Sequence, residues 1–297
     1  MSSASRLTKT YKNAKIVPIN DCSKIIMFSD CHRGDNSFAD DFANNRNIYF
    51  HALSHYYDNG YVYCELGDGD ELWENKSFKS LFRAHKNVYL LMSKFHQEGR
   101  LHLIWGNHDM VYKNPKYVKK HLSSYTDPKT EQEIPLFPDL VYSEGVVLKH
   151  ETTGKEIFLA HGHQADWWNY LFWTWSRFLV RILWKPLQII GIADPTSPAK
   201  NHRELIKIEK RIKNWIHENN NLMTVIGHTH RPRFPKTGEI PLFNDGSCVH
   251  PRSVTGIEIN EGEISLIKWY TSIKKDGTLQ IVKTTLEGPR ELEGYQV

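Results

Sequence analysis

Cysteine is scarce in this chain of 297 residues: there are four, at positions 22, 31, 64 and 248, with no CxxC or knuckle spacing among them. That excludes a disulfide framework and a cysteine-ligated zinc module, and a chain this long buries a core without such staples. An excess of one charge is also missing, since 38 Lys+Arg stand against 34 Asp+Glu for a net +4. So small and scattered a margin gives no strong nucleic-acid signature, while phosphate-bearing small substrates stay compatible with it. No repeat or low-complexity stretch interrupts a composition of 40% hydrophobic and 24% charged residues, so fibrous and disordered classes fall away. Residues 1–23 carry Arg6, Lys9, Lys12 and Lys15 but no apolar run of signal-peptide length, and read as a loose basic arm ahead of one domain over 24–297. Reduced thiols and the missing leader imply a cytoplasmic protein.

What is plentiful is histidine, with 16, and tryptophan, with 9. Histidine binds metals and moves protons near neutral pH, so its placement matters first. Five short β-branched or aromatic runs each stop at Gly, Asp, Asn or His: 24–30 (KIIMFSD), 61–68 (YVYCELGD), 101–107 (LHLIWGN), 156–162 (EIFLAHG) and 222–228 (LMTVIGH). Helical stretches over 42–57 and 78–95 separate the first three, which predicts β-α-β-α-β and a largely parallel sheet. Strands over 240–244, 253–260, 264–270 and 278–284 follow. The fold class expected is α/β, a two-sheet sandwich flanked by helices. In open α/β sheets ligands bind beyond the carboxyl ends of strands, which is where the polar residues collect here.

One segment breaks this grammar. Residues 167–184 (WWNYLFWTWSRFLVRILW) hold 13 apolar residues and five of the nine tryptophans. Arg177, Arg181 and Lys185 recur at steps of four, one face of a helix. Two mid-segment arginines cost about 2.5–3.5 kcal/mol each in a membrane span, so a buried or interfacial helix is expected instead. It forms part of a helical, lid-like insertion over 164–220, whose second helix spans 201–217.

The strand ends present Asp30 and His32, Asp68, Asn107, His161, and His228 with His230. Seven oxygen and nitrogen donors without a thiolate suit first-row divalent ions. With Asp68 bridging they make eight contacts, four to each of two ions, the layout of a two-metal hydrolytic site. These motifs, D-x-H at 30–32, G-D-x-x-E at 67–71, G-N-H-D at 106–109, His161, and G-H-x-H at 227–230, resemble the calcineurin-like metallophosphoesterases in order and spacing from residue 30 to 230. The resemblance implies the α/β/β/α sandwich of that family and hydrolysis of a phosphoester or pyrophosphate bond by a metal-bridging hydroxide. It implies two divalent ions, manganese first, with iron, zinc, cobalt or nickel as alternatives. Asp30, His32, Asp68 and His230 would hold one ion, and Asp68, Asn107, His161 and His228 the other. His108 would be the histidine that meets the phosphate and protonates the leaving oxygen. Glu71 stands where relatives carry the Asp that orients this histidine, and Asp70 and Asp109 are the other carboxylates available for that task.

Other residues carry two readings. His163 is a core residue or lies near substrate. Arg33, Arg231 and Arg233 are phosphate clamps or rim charges, and Cys31, between two ligands, is expected to face away from them. For His51, His55, His85, His96, His102, His121, His202 and His217 a structural role is the expectation. The G-D-x-x-E-x-W and G-H-T-H-R-P patterns with a helical insert are most similar to the UDP-2,3-diacylglucosamine pyrophosphohydrolase group. That likeness implies a lipid-linked nucleotide sugar as substrate, sheltered by residues such as Trp175, and peripheral contact with the inner membrane face through 167–185. A soluble nucleotide or phosphoprotein substrate is the alternative, and a metal-binding scaffold without turnover is the reading from another class.

Overall fold

The structure, a computed structural model, describes residues 2–166 and 202–295. Residues 167–201, with Trp175 and the whole aromatic segment, lie outside the described residues. The alternating sequence of the first half folds as β2 (Lys24–Phe28), α2 (Arg46–Asp58), β3 (Val62–Leu66), α3 (Phe78–Ala84), α4 (Lys86–Gln97) and β4 (Leu101–Ile104), and the three strands pair in parallel. The sheet continues antiparallel through β11 (Ser253–Asn260), β12 (Glu263–Ile273) and β13 (Leu279–Glu291), giving the order β13-β12-β11-β2-β3-β4.

A second sheet orders β1 (Lys15–Ile19), β7 (Gly145–His150), β8 (Glu156–Ala160), β9 (Met223–Ile226) and β10 (Leu242–Asn244). Between the two halves lie α5 (Pro115–Leu122) and the small hairpin of β5 (Ser124–Thr126) and β6 (Glu133–Pro135). The pleat decides which core each side chain enters, because successive residues point to opposite faces. In β2, Ile25 and Met27 meet Leu148, Ile157, Leu159 and Val225 of the second sheet, while Ile26 and Phe28 face the helices α2 and α4. In β8, Phe158 and Ala160 turn outward onto Ile208, Ile212, Trp215 and Ile216 of α6 (His202–Glu218). The layers are therefore helix, sheet, sheet, helix, as the motif order implies.

Three expectations are corrected. Residues 1–23 are not a loose arm: Ser3–Lys12 form α1, capped by the Ser2 side chain, and β1 pairs in parallel with β7. The reason is amphipathicity of short period, for Leu7 is buried among Phe158, Ile212 and Trp215, while the lysines stay on the outside. The helix expected over 78–95 divides at His85, whose buried ring reaches Asp40 at 2.8 Å and so turns the chain there. The helix expected from residue 42 begins only at Arg46, because Asn45 is occupied in tying the carbonyls of Cys248, His250 and Ser253. Strand β7 was not anticipated, although it contributes alternate residues to two cores. No helix among the described residues is long and apolar enough to cross a membrane.

If α1 is a packed layer, Leu7→Ala lowers unfolding free energy by about 2–5 kcal/mol. Denaturant titration of the full chain measures it, and an unchanged midpoint would return residues 3–12 to the status of an arm.

Candidate metal centre

The backbone beyond the strand ends brings the donors together. Past β2 and β3 the pairing outlasts regular strand geometry: the N–H groups of Asp30, His32 and Arg33 donate to the carbonyls of Gly67, Asp68 and Gly69 at 2.9–3.0 Å. Along this stretch Asp30, His32 and Asp68 take positive φ, at 50°, 46° and 49°, and His228 and His230 do so at 65° and 54°. Five of the seven donors thus sit in a region that non-glycine residues rarely enter, with Asp and His among the more tolerant types. Such strain persists where surrounding structure over-determines it. The turns aim residues 30 and 32 into one pocket and send Cys31 into the helix-side core.

Glycines make the close approach possible. A β-carbon on Gly106 would stand 2.1 Å from Asp68 Oδ1, and one on Gly227 2.6 Å from Asp30 Oδ2.

The donors form two overlapping groups. Asp30 Oδ1 lies 3.0 Å from His230 Nε2 and 3.7 Å from His32 Nε2. Asp68 Oδ2 lies 3.1 Å from His161 Nε2 and 3.9 Å from His32 Nε2, between the groups, while its Oδ1 accepts the His108 N–H at 2.8 Å. His161 Nε2 also faces Asn107 Oδ1 at 3.3 Å, and His228 clusters with Asp68 and His161. His161 Nδ1 points to the Leu66 carbonyl at 2.8 Å; a carbonyl only accepts, so Nδ1 carries a hydrogen and Nε2 is the atom turned to the pocket.

The electrostatics fit a cation site. Burial raises the Asp30 carboxyl, but the imidazoles of His230, His32 and His161 overcome this and hold it well below the usual carboxylate range. Burial lowers His161, yet Asp68, Asp30 and Asp109 carry it up to about 9. Carboxylates pulled down beside imidazoles pushed up are the mutual response of acidic and basic donors packed together out of water. Asp30 Oδ1 and His32 Nε2, both buried, make no hydrogen bond. Such atoms are costly unless something in the pocket satisfies them, and divalent ions fit the donor set.

Glu71 is the pivot of the open side. Its Oε2 stands 2.7 Å from His108 Nδ1 and 2.9 Å from His32 Nδ1, while Oε1 accepts the N–H groups of Trp73 and Glu74. Burial pushes this carboxyl up, but the charge and hydrogen bonds of His108 and His32 pull it down to about 2. An ionised carboxylate only accepts, so both Nδ1 atoms bear hydrogen and both Nε2 atoms are released toward the pocket. Trp73, which motif reading noted but did not use, stacks on His108 at 4.1 Å between centroids and donates Nε1–H to the Asn107 carbonyl at 2.7 Å. His230 and His108 are the more accessible rings, so the pocket opens on their side.

The remaining candidates separate. Arg33 does not reach a phosphate: it is fully buried, with Nε on Asp70 at 2.8 Å and Nη1 and Nη2 on Glu65 at 2.6 and 2.7 Å. Its planar fork is used up on two carboxylates, which Tyr63, Tyr89 and Tyr112 also bind. Asp70 therefore orients Arg33, and Asp109 accepts the N–H groups of Gly69 and Gly106; neither carboxylate is paired with the His108 ring. His163 is buried beside Trp105 and His161, not at the mouth. Arg233 pairs with Glu209 at 2.9 Å, and Arg231 is exposed next to His230. Sequence reading missed Asp245, to which Ser29 Oγ donates at 2.7 Å while also binding Asp30. It ends β10 at Asn244-Asp245-Gly246, the same strand-end signature that exposed the others.

No family model and no curated protein matches the chain. Solved structures similar to it include Vacuolar Protein Sorting 29 from Cryptosporidium parvum, 14% identical over 90% of this chain and 99% of that one, with a TM-score of 0.36. Chaetomium thermophilum Vps29 is 9% identical over 90% and 96%, with a TM-score of 0.39. The same protein complexed with the RaPID-derived cyclic peptide RT-D3 is 8% identical over 89% and 96%, at 0.37. Likeness this distant decides nothing about the site, whose reading rests on the distances above.

Removing Arg33 would leave Glu65 and Asp70 as buried, unneutralised charges, so Arg33→Ala destabilises by about 3–5 kcal/mol. A denaturation midpoint unchanged in Arg33→Ala would refute the structural assignment of Arg33.

Proposed function

We propose that this chain is a two-metal phosphoesterase of the calcineurin-like kind, hydrolysing a phosphoester or pyrophosphate bond. The observation that carries this reading is the convergence of seven donors on one pocket with Asp68 Oδ2 between the two groups. Asp30, His32, Asp68 and His230 would hold one ion, and Asp68, Asn107, His161 and His228 the other. When bound, such ions polarise phosphoryl oxygens and lower the pKa of water. The chain's own residues do the rest. Glu71 keeps the hydrogen of His108 on Nδ1, leaving Nε2 to carry a proton to the departing oxygen. Trp73 holds the plane of that ring, and Arg231, exposed beside His230, would meet a phosphate that enters there. The intact His108–Glu71 pair argues against a scaffold without turnover, since a site that only binds metal has no use for it.

For the substrate class, the aromatic composition of 167–184 supports a lipid-linked nucleotide sugar, with Trp175 beside acyl chains and the Arg177, Arg181 and Lys185 stripe on anionic headgroups at the inner membrane face. A panel of aryl phosphodiester, aryl monoester, nucleotide sugar and acylated UDP-sugar tests it. Replacing Leu171, Trp175 and Phe178 by polar residues should depress turnover of the acylated substrate alone; a parallel loss on the small diester with a lower melting temperature would remove the lipid reading.

Two variants test the chemistry. Wild-type protein reconstituted with manganese should hold two ions per chain by elemental analysis, and Asp68→Ala should lose most of both and all activity. His108→Asn should keep its ions while turnover falls about 10²–10⁴-fold. The fall should be smaller for a nitrophenyl ester, whose leaving group needs little protonation; equal losses on good and poor leaving groups would remove the acid role.

A further inference from the structure

The end of β10 carries a carboxyl that the motifs do not include. Asp245 is fully buried; its Oδ1 lies 2.7 Å from Ser29 Oγ, and its Oδ2 makes no hydrogen bond. The same Ser29 hydroxyl binds Asp30 Oδ2. A hydroxyl carries one hydrogen, so it cannot donate to both carboxyls. Spent on Asp245, that hydrogen leaves the close contact with Asp30 as two oxygens with nothing between them. Spent on Asp30, it leaves the contact with Asp245 in the same condition unless Asp245 brings a hydrogen of its own. Both contacts are hydrogen bonds only if the chain of Asp245, Ser29 and Asp30 holds a second hydrogen.

The surroundings put that hydrogen on Asp245. Asp30 Oδ2 also accepts the His228 N–H at 2.8 Å, and Asp30 Oδ1 faces His230 Nε2 at 3.0 Å, so Asp30 is placed as an acceptor. Asp245 has one bare oxygen, and a buried ionised carboxyl in that position beside a second carboxylate is far costlier than a neutral one. Burial and the Asp30 charge accordingly raise the Asp245 carboxyl well above the usual carboxylate range, against the lowering effects of Ser29 and His161. The main chain fixes the position. The Asp245 N–H donates to the Ile226 carbonyl at 3.1 Å, and just beyond it Ser247 Oγ and the Cys248 N–H donate to the Asp30 carbonyl at 3.2 and 3.3 Å. One short segment thus holds Asp30 by side chain and main chain together.

We propose that Asp245 is a positioning residue for Asp30: a neutral carboxyl that donates to Ser29, so that Ser29 in turn donates to Asp30 Oδ2. Ser29 and the His228 N–H then occupy Oδ2 and leave Oδ1, which makes no hydrogen bond, as the oxygen turned to the pocket. The chain orients a ligand without adding a further negative charge behind it. This rests on the two-metal reading and specifies how one of its carboxylates is aimed.

Infrared difference spectra of the ion-free full chain test the hydrogen with no metal present: the carbonyl band of a neutral carboxylic acid should be lost on going from wild type to Asp245→Asn. Titration of the same proteins with Mn(II) alone, with free Mn(II) counted by electron paramagnetic resonance, tests the role. Ser29→Ala and Asp245→Ala should each weaken one of the two sites about 10–100-fold, as the loss of an outer-shell partner does, and leave the other at its wild-type affinity. Asp245→Asn, whose amide N–H takes the place of the acid O–H, should bind both ions as wild type does. The double variant should lose no more than Ser29→Ala alone, because Asp245 acts through that hydroxyl. If Asp245→Ala fails to fold, Ser29→Ala and Asp245→Asn still decide. No lost band, an Asp245→Asn that binds as weakly as Ser29→Ala, or wild-type affinity at both sites in Ser29→Ala would overturn the proposal while the two-metal reading stood. Fewer than two ions on the wild-type chain would overturn both.

Discussion

Backbone pairing between the segments that follow β2 and β3 is the constraint on which the site depends. Parallel strands normally release their chains in different directions once the ladder ends. Here three further N–H groups, of Asp30, His32 and Arg33, remain bound to Gly67, Asp68 and Gly69, so two functional loops descend together from one sheet. That pairing holds Asp30, His32 and Asp68 at positive φ, sets Asp68 against Gly106 at a distance only glycine permits, and lays Arg33 between Glu65 and Asp70. Each of those contacts is local, but all share the same register. A slip of one residue would turn the donors out of the pocket and Cys31 into it.

Charge is handled in two ways within a short distance. Behind the loops, Arg33 meets two carboxylates and the hydroxyls of Tyr63, Tyr89 and Tyr112 complete their shells, so this network is satisfied by protein groups alone. In front, Asp30 and His32 retain buried atoms with no hydrogen bond, and imidazoles rise while carboxylates fall. A satisfied network gives rigidity, and an unsatisfied one gives affinity for something from outside. Their adjacency supplies rigid loops with donors left over, the arrangement that a preorganised cation site needs.

The aromatic rings have divided duties. Trp215 lies in the outer core with Phe158, where its role is area, whereas Trp73 touches His108, Glu71 and the Asn107 carbonyl, where its role is orientation. Both are nearly inaccessible to solvent, so burial does not distinguish them; neighbours do.

Local pattern was sufficient for the strand ends, the alternation of the first three strands, the second helix of the insertion at His202–Glu218 and the layered α/β class, because period and turn chemistry act within a few residues of their cause. The chain order of Asp30, His32, Asp68, Asn107, His161, His228 and His230 was likewise legible, since each stands at the same kind of strand end. Contacts between distant segments were not legible. Arg33 beside a ligand reads as a clamp until Glu65 closes on it from another strand, and residues 3–12 read as an arm until Phe158 and Trp215 offer them a surface. Sequence by itself determined which residue types stand at the strand ends, whereas tertiary structure decided which charges face the pocket, because a side chain's partner is set by the packing of segments far apart in the chain.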